Sequence, residues 1–165
     1  MDGFAPASDC KRTYAKLKRW IVTATSVAMW LSDFARENVT FTGVLSSKDD
    51  TPGCTKEACN FRDANRLMQK KGIVVLGVSA DDVKSHQIFA DKYGLNFPLL
   101  ADIDTYVSQL YDVWKEKNFA GKKYMGVNRS PFLIDKDGIV RKIWHKVKPE
   151  EHADEVLEAL DELGL

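Results

Sequence analysis

One-sided charge, a cysteine framework and long apolar runs are all missing from this 165-residue chain. Lys plus Arg and Asp plus Glu both number 24, so no global field recruits nucleic acid or acidic partners. Three cysteines, Cys10, Cys54 and Cys59, are too few and too unevenly placed for a secreted disulfide scaffold. No Cys-x2-Cys motif and no Cys/His pair at ligand spacing is present, so no metal site is expected. His86, His145 and His152 are scattered and read as solvated or partly buried side chains. Repeats, low-complexity tracts and inter-domain linkers are also lacking. What remains is one domain, residues 1–165, long enough for a sizeable core.

The apolar stretch Trp20 to Leu31 is about a dozen residues long, short of the roughly 20 that cross a bilayer. No membrane span is expected from it. It follows a basic, acid-free run (Lys11, Arg12, Lys16, Lys18, Arg19), which resembles the flank of a signal or transit peptide. Asp2 and Asp9, the length of the basic run and the lack of a clean cleavage pattern favour an internal amphipathic or buried helix and a cytoplasmic location. Cys10 reads as incidental.

The informative segment is Thr51-Pro52-Gly53-Cys54-Thr55-Lys56-Glu57-Ala58-Cys59. Pro and Gly mark a turn, and good helix formers then run from Cys54 to Lys71. Cys54, Ala58, Phe61, Asn65 and Met68 fall on one mostly apolar stripe at helical spacing. Cys54 is therefore expected in the first helical turn, among unsatisfied N–H groups and the positive end of the helix dipole. An isolated thiol has a pKa near ~8.5, and a helix N-terminus lowers it. Cys59 comes five residues later, roughly 500° of rotation, and so points about 140° away from Cys54. A disulfide needs Cα atoms within about 7 Å, which such a pair exceeds slightly, with its side chains diverging. The two thiols can bond only if the first turns of the helix melt.

Further along, Val39–Leu45 alternates weakly and reads as a strand, whereas Ile73–Val78 is a continuous apolar run suited to a central strand. Asp81 or Asp82 caps a helix that runs to about Tyr93 and ends at Gly94. A short strand at Phe97–Ala101 and a short helix at Thr105–Tyr111 follow. Pro131–Ile134 and Ile139–His145 flank the turn signal Asp135-Lys136-Asp137-Gly138. Lys148-Pro149-Glu150 opens a last helix ending at Gly164. Such alternation gives a mixed α/β sheet with both faces covered, an order compatible with a thioredoxin-like fold.

The stretch Lys48 to Cys59 closely resembles the active-site segment of the peroxiredoxin Q (bacterioferritin comigratory protein) family. The resemblance continues through Gly77-Val78-Ser79, Phe97-Pro98-Leu99-Leu100-Ala101-Asp102, Arg129-Ser130 and Phe132-Leu133-Ile134-Asp135, and so covers nearly everything from Lys48 onward. A shorter similarity, Pro6-Ala7-Ser8-Asp9 with Thr13-Tyr14 and Leu17-Lys18, falls on the family's first hairpin region. The resemblance implies a thioredoxin-like fold and a thiol peroxidase acting on hydrogen peroxide and organic hydroperoxides. In that family the Thr three residues before the cysteine and a distant Arg donate hydrogen bonds to the thiolate and the peroxide. Those positions are Thr51 and Arg129, which on the residues alone read as a turn cap and a surface ion pair. Cys54 is then the attacking thiol and Cys59 the candidate resolving thiol. A thioredoxin or similar dithiol is the expected reductant, no cofactor is implied, and a monomer is the family expectation. A thioredoxin-type disulfide reductase is excluded by the Cys-x4-Cys spacing.

Two residues depart from the family pattern. Ser47 stands where a shielding Pro is usual, and Pro131 where Thr is usual. Lys18–Ser47 also matches poorly. Thr40 to Ser47 is a polar strand with an internal Gly43, ill suited to a central place in a sheet. This region reads as a divergent or rearranged segment, or as a family variant with an added helix. The competing function is a catalytically weakened redox sensor or chaperone-like binding protein on the same fold.

Overall fold

The computed structural model describes residues 40–45 and 49–165. Cys10, the hairpin similarity over Pro6–Lys18, the apolar stretch Trp20–Leu31 and Ser47 lie outside the described residues. The elements are β1 (Thr40–Leu45), α1 (Pro52–Lys70), β2 (Ile73–Ser79), α2 (Val83–Tyr93), β3 (Leu99–Ala101), α3 (Tyr106–Leu110), β4 (Trp114–Phe119), β5 (Lys122–Val127), β6 (Ser130–Ile134), β7 (Val140–Ile143) and α4 (His152–Leu163). Five strands form one sheet in the order β3-β2-β1-β6-β7, and β4 with β5 forms a separate hairpin.

β1 runs parallel to β2, from Thr40 opposite Ile73 to Leu45 opposite Val78. On its other side it pairs antiparallel with β6. The segment that sequence composition disfavours for a central strand thus occupies the middle of the sheet. Its backbone ladder is satisfied on both edges whatever side chains it carries. Gly43 sits opposite Leu76 on one side and Phe132 on the other. All seven residues of β2 are buried. Successive strand residues point to opposite faces, so both faces of this strand are covered, as its unbroken apolar run requires.

The helices begin and end where capping chemistry dictates. α1 starts at Pro52, two residues earlier than the run of helix formers suggests, because Pro is tolerated where its missing N–H has no intrahelical partner. The Asp82 side chain accepts from the Ser85 amide at 2.7 Å and caps α2, which ends at Gly94 in the left-handed region with φ 61°. Gly164, φ 66°, ends α4 in the same way. α1 packs against β2 and α4. The core includes Phe61 and Met68 from α1, Leu76 from β2, Leu133 from β6 and Leu160 from α4, each almost fully buried.

One element departs from expectation. The β4–β5 hairpin was not anticipated, because Lys115, Glu116, Lys117, Lys122 and Lys123 hide any apolar alternation. Its turn is Ala120-Gly121, both at positive φ (51° and 80°), between the paired residues Phe119 and Lys122. Pro131, expected in a strand, is the buried second residue of β6, opposite Val44 of β1. Its carbonyl still accepts from the Trp144 amide at 3.0 Å.

Leu133 has no exposed surface in the middle of this core. Leu133→Ala is expected to lower stability by about 2–5 kcal/mol. Urea unfolding followed by circular dichroism checks this, and a loss under about 1 kcal/mol would contradict the packing described.

Candidate active site

Cys54 is the third residue of α1 and is 5% exposed. Its place follows from Pro52 and Gly53, which open the helix directly from an extended Thr51 (φ −81°, ψ 149°). The Thr51 carbonyl accepts the Thr55 amide at 2.8 Å, the first bond of the helix. The Thr51 side chain makes no capping hydrogen bond, so the simple cap reading of this residue does not hold.

Arg129 reaches the cysteine from the junction of β5 and β6. Its Nη2 donates to Cys54 Sγ at 3.1 Å. The contact joins residues 75 positions apart, and the surface ion pair expected for Arg129 is instead a half-buried one with Glu57. Gly53 makes room for it. A Cβ at that position would lie 2.9 Å from Nη2 and 3.0 Å from Nη1 of Arg129. A guanidinium and the amino end of a helix both favour a thiolate over a thiol, and burial opposes it.

Glu57, one turn after Cys54, faces inward with a 2% exposed side chain. Its Oε2 lies 3.2 Å from Arg129 Nε, and its Oε1 lies 2.9 Å from Nδ1 of His152 on α4. The His152 side chain has no exposed surface and stands edge-on to Phe61 and Trp144, with ring centroids 5.1 and 5.2 Å away. His86 is buried too; its Nδ1 lies 2.8 Å from Asp49 Oδ2 and its Nε2 3.1 Å from the Leu100 carbonyl. Only His145 is exposed, so the expectation of solvated or partly buried histidines fails for the other two. Each is buried because a carboxylate meets it, and polar groups enter a core only when paired.

The approach to the helix is also tied down. The Asp49 amide donates to Asp81 Oδ2 at 2.7 Å. Asp50, at φ 55°, accepts from Lys92 Nζ at 2.6 Å and from the Tyr93 hydroxyl at 2.5 Å. Those two hydrogen bonds, Lys92 first, hold the Asp50 carboxyl below the usual aspartate value. Residues 49 and 50 are thereby fastened to α2. A pocket of about 420 Å³, open to solvent, lies beside Cys54 and is lined by Ala58, Phe61, Val78, Phe89 and Phe97 among others.

Cys59 is half-buried on the same unbroken helix, and both cysteines are free thiols. The site therefore brings Cys54 and Arg129 together, with Thr51 at the helix entry and Cys59 held apart. Glu57, Gly53 and His152 were missed in the sequence. Glu57 carried a usable signal, since it shares the helix face of Cys54 and Phe61. Lys117, on the unanticipated β4, was missed as well. Its Nζ donates to the Val127 carbonyl at 2.6 Å. Burial first, and then the charge of Arg129, push its amine below the usual lysine value, while the charge of Cys54 acts the other way.

A buried cysteine in the first turn of a helix, with an arginine on its sulfur and a mixed sheet behind it, defines a thiol enzyme on a thioredoxin-like fold. Residues 23–143 match the model of the AhpC/TSA family. The peroxiredoxin Bcp of Xanthomonas campestris is 48% identical over 113 residues, which cover 68% of this chain and 71% of that protein. The peroxiredoxin Bcp of Bacillus subtilis is 46% identical over 117 residues, 71% of this chain and 74% of that one. A solved structure of the X. campestris bacterioferritin comigratory protein, concerned with its alkyl peroxide reduction, superposes with a TM-score of 0.73 at 41% identity, covering 78% of this chain and 82% of that chain. The chain belongs to the AhpC/TSA family, among its Bcp/PrxQ peroxiredoxins.

Gly53→Ala tests the fit between helix and guanidinium. Alanine suits a helix better than glycine by about 1 kcal/mol, so the fold should persist, while the added Cβ pushes the mobile end of Arg129 off the sulfur. Alkylation of Cys54 by iodoacetamide, followed by peptide mass spectrometry across pH, is expected to slow several-fold at neutral pH. An unchanged profile would mean that the contact does not govern the thiol.

Proposed function

We propose that the chain is a thiol peroxidase in which Cys54 attacks the peroxide, Arg129 and Thr51 assist, and Cys59 resolves the product. The observation that carries this reading is the 3.1 Å contact between Arg129 Nη2 and Cys54 Sγ at the start of α1. The Cys54 thiolate attacks one oxygen of a hydroperoxide. The S–O bond forms as the O–O bond breaks, and water or an alcohol leaves after taking up a proton. Negative charge moves from sulfur to the departing oxygen during this step. A fixed guanidinium beside the sulfur is placed to stabilise both ends of that movement, and the Thr51 hydroxyl is the second donor in this reading.

The sulfenic acid on Cys54 then condenses with the Cys59 thiol, releasing water and forming an intramolecular disulfide. With α1 intact from Pro52 to Lys70, the pair sits a little beyond disulfide reach. The turns carrying both cysteines must open first. An external dithiol, thioredoxin or a similar protein, returns the disulfide to thiols by exchange, and the protein works as a monomer. No helix among the described residues is long and apolar enough to cross a membrane.

Peroxide consumption coupled to thioredoxin, its reductase and NADPH is expected for the native protein and abolished by Cys54→Ser. A native protein with no turnover would sink the peroxidase reading and leave the redox sensor. Treatment with one equivalent of peroxide should give a Cys54–Cys59 linkage by mass spectrometry. A stable Cys54 sulfenic acid without that linkage would replace the mechanism with a one-cysteine cycle. Far-ultraviolet circular dichroism should show a small loss of helix on oxidation, and an unchanged spectrum would count against local unwinding.

A further inference from the structure

The peroxide step needs a cysteine and an arginine; it does not by itself call for a histidine sealed under the active-site helix. His152 is nonetheless completely buried, as the first residue of α4. Its one hydrogen-bond partner among the described residues is Glu57, at 2.9 Å from Nδ1. Its other nitrogen, Nε2, is buried and makes no hydrogen bond among the described residues. Around it stand the rings of Phe61 and Trp144.

This geometry selects one form of the ring. A carboxylate only accepts, so the proton sits on Nδ1. His152 Nδ1 therefore serves as a donor to Glu57. It constrains Glu57 Oε1, and Oε2 of the same carboxylate faces Arg129 Nε at 3.2 Å. The Nε end of Arg129 is ion-paired with Glu57 at 3.2 Å without a hydrogen bond between them, while Nη2 of the same planar group donates to Cys54 Sγ. Because a guanidinium is rigid, the attraction of the Glu57 carboxylate for its Nε edge biases the direction of its Nη2 donor. Arg129 comes from a β5–β6 junction, with a side chain that is 24% exposed, so without that hold it has room to turn away.

We propose that His152 is a positioning residue for the thiol chemistry: through Glu57 it fixes the guanidinium of Arg129 against the sulfur of Cys54. It touches neither substrate nor sulfur. It acts only through the two residues in between.

The proposal rests on Cys54 being the attacking thiol, and two substitutions of similar polarity test it. The side-chain amide of Asn superposes on Nδ1 of a histidine, whereas that of Gln superposes on Nε2. H152N therefore keeps a donor toward Glu57, and H152Q moves it away. Single-turnover oxidation of pre-reduced Cys54 by hydrogen peroxide is expected to fall about ten-fold in H152Q and to stay within about three-fold of native in H152N. In an R129Q background neither substitution should change the rate by more than about two-fold, because the route through Arg129 is already gone. An H152Q protein as fast as native, or an equal loss in both backgrounds, overturns the proposal. If H152Q fails to fold, H152N decides alone: a folded H152N as slow as R129Q overturns it, and a fast one sustains it. Iodoacetamide titration of Cys54 in the same proteins reports on the hold over the sulfur without any peroxide. The titration thus separates failure of this proposal from failure of the peroxidase reading, which peroxide turnover in Cys54→Ser would expose.

Discussion

A single buried carboxylate, that of Glu57, joins three parts of this molecule that are far apart in sequence. One oxygen meets His152 at the start of the last helix, and the other meets Arg129 at the mouth of β6. Its own helix carries Cys54 three residues earlier. Burying an unpaired carboxylate costs several kcal/mol, so the three partners are obliged to come together if the helix is to pack at all. The arrangement that gives the buried carboxylate charged and polar neighbours is also the one that sets a positive group on the cysteine. Neighbouring contacts tie the same helices, since the Ala153 amide donates to Asn60 Oδ1 at 2.8 Å and Lys56 pairs with Glu150 at 2.7 Å. The exposed pair adds little; the buried ones fix the geometry.

The other side of the active-site helix depends on a different device. Asp49 and Asp50 are held by side chains of α2 and by Asp81. The strand before them, β1, contributes a backbone ladder between β2 and β6. Rigid strands and a clamped approach put Pro52 and Gly53 where the helix must begin. Sites held in this way, by elements and not by a free loop, keep reacting groups in a narrow range of positions.

Much of this was legible in the sequence where the signal was local. The helix opened by Pro52 and Gly53, the apolar β2 and the caps at Asp82, Gly94 and Gly164 all rest on short-range chemistry. Arg129 was legible only through family resemblance, because no periodicity links it to a cysteine 75 residues away. The stripe drawn on α1 took Ala58 as its inward residue, and the fully inward one is Glu57. An apolar pattern prefers alanine there. It cannot register a carboxylate whose burial is licensed by a histidine 95 positions later. The β4–β5 hairpin was hidden for a related reason, since both strands are largely exposed and charged and leave no alternation to read. Gly53 looked like turn punctuation, yet its second role, leaving space for a guanidinium, depends on a residue that sequence alone does not bring near.

In the proposed cycle, Glu57 also lies between Cys54 and Cys59, inside the stretch that would unravel before the two sulfurs met. Every contact that seats this carboxylate therefore delays the meeting. While the sulfenic acid waits, a second peroxide molecule can carry it to sulfinic acid, a state that simple thiol exchange does not reverse. The firmness with which α1 is pinned to α4 thus does more than orient a guanidinium. In that cycle it would set the peroxide level at which self-inactivation overtakes repair, a ceiling on the oxidant load the fold could survive.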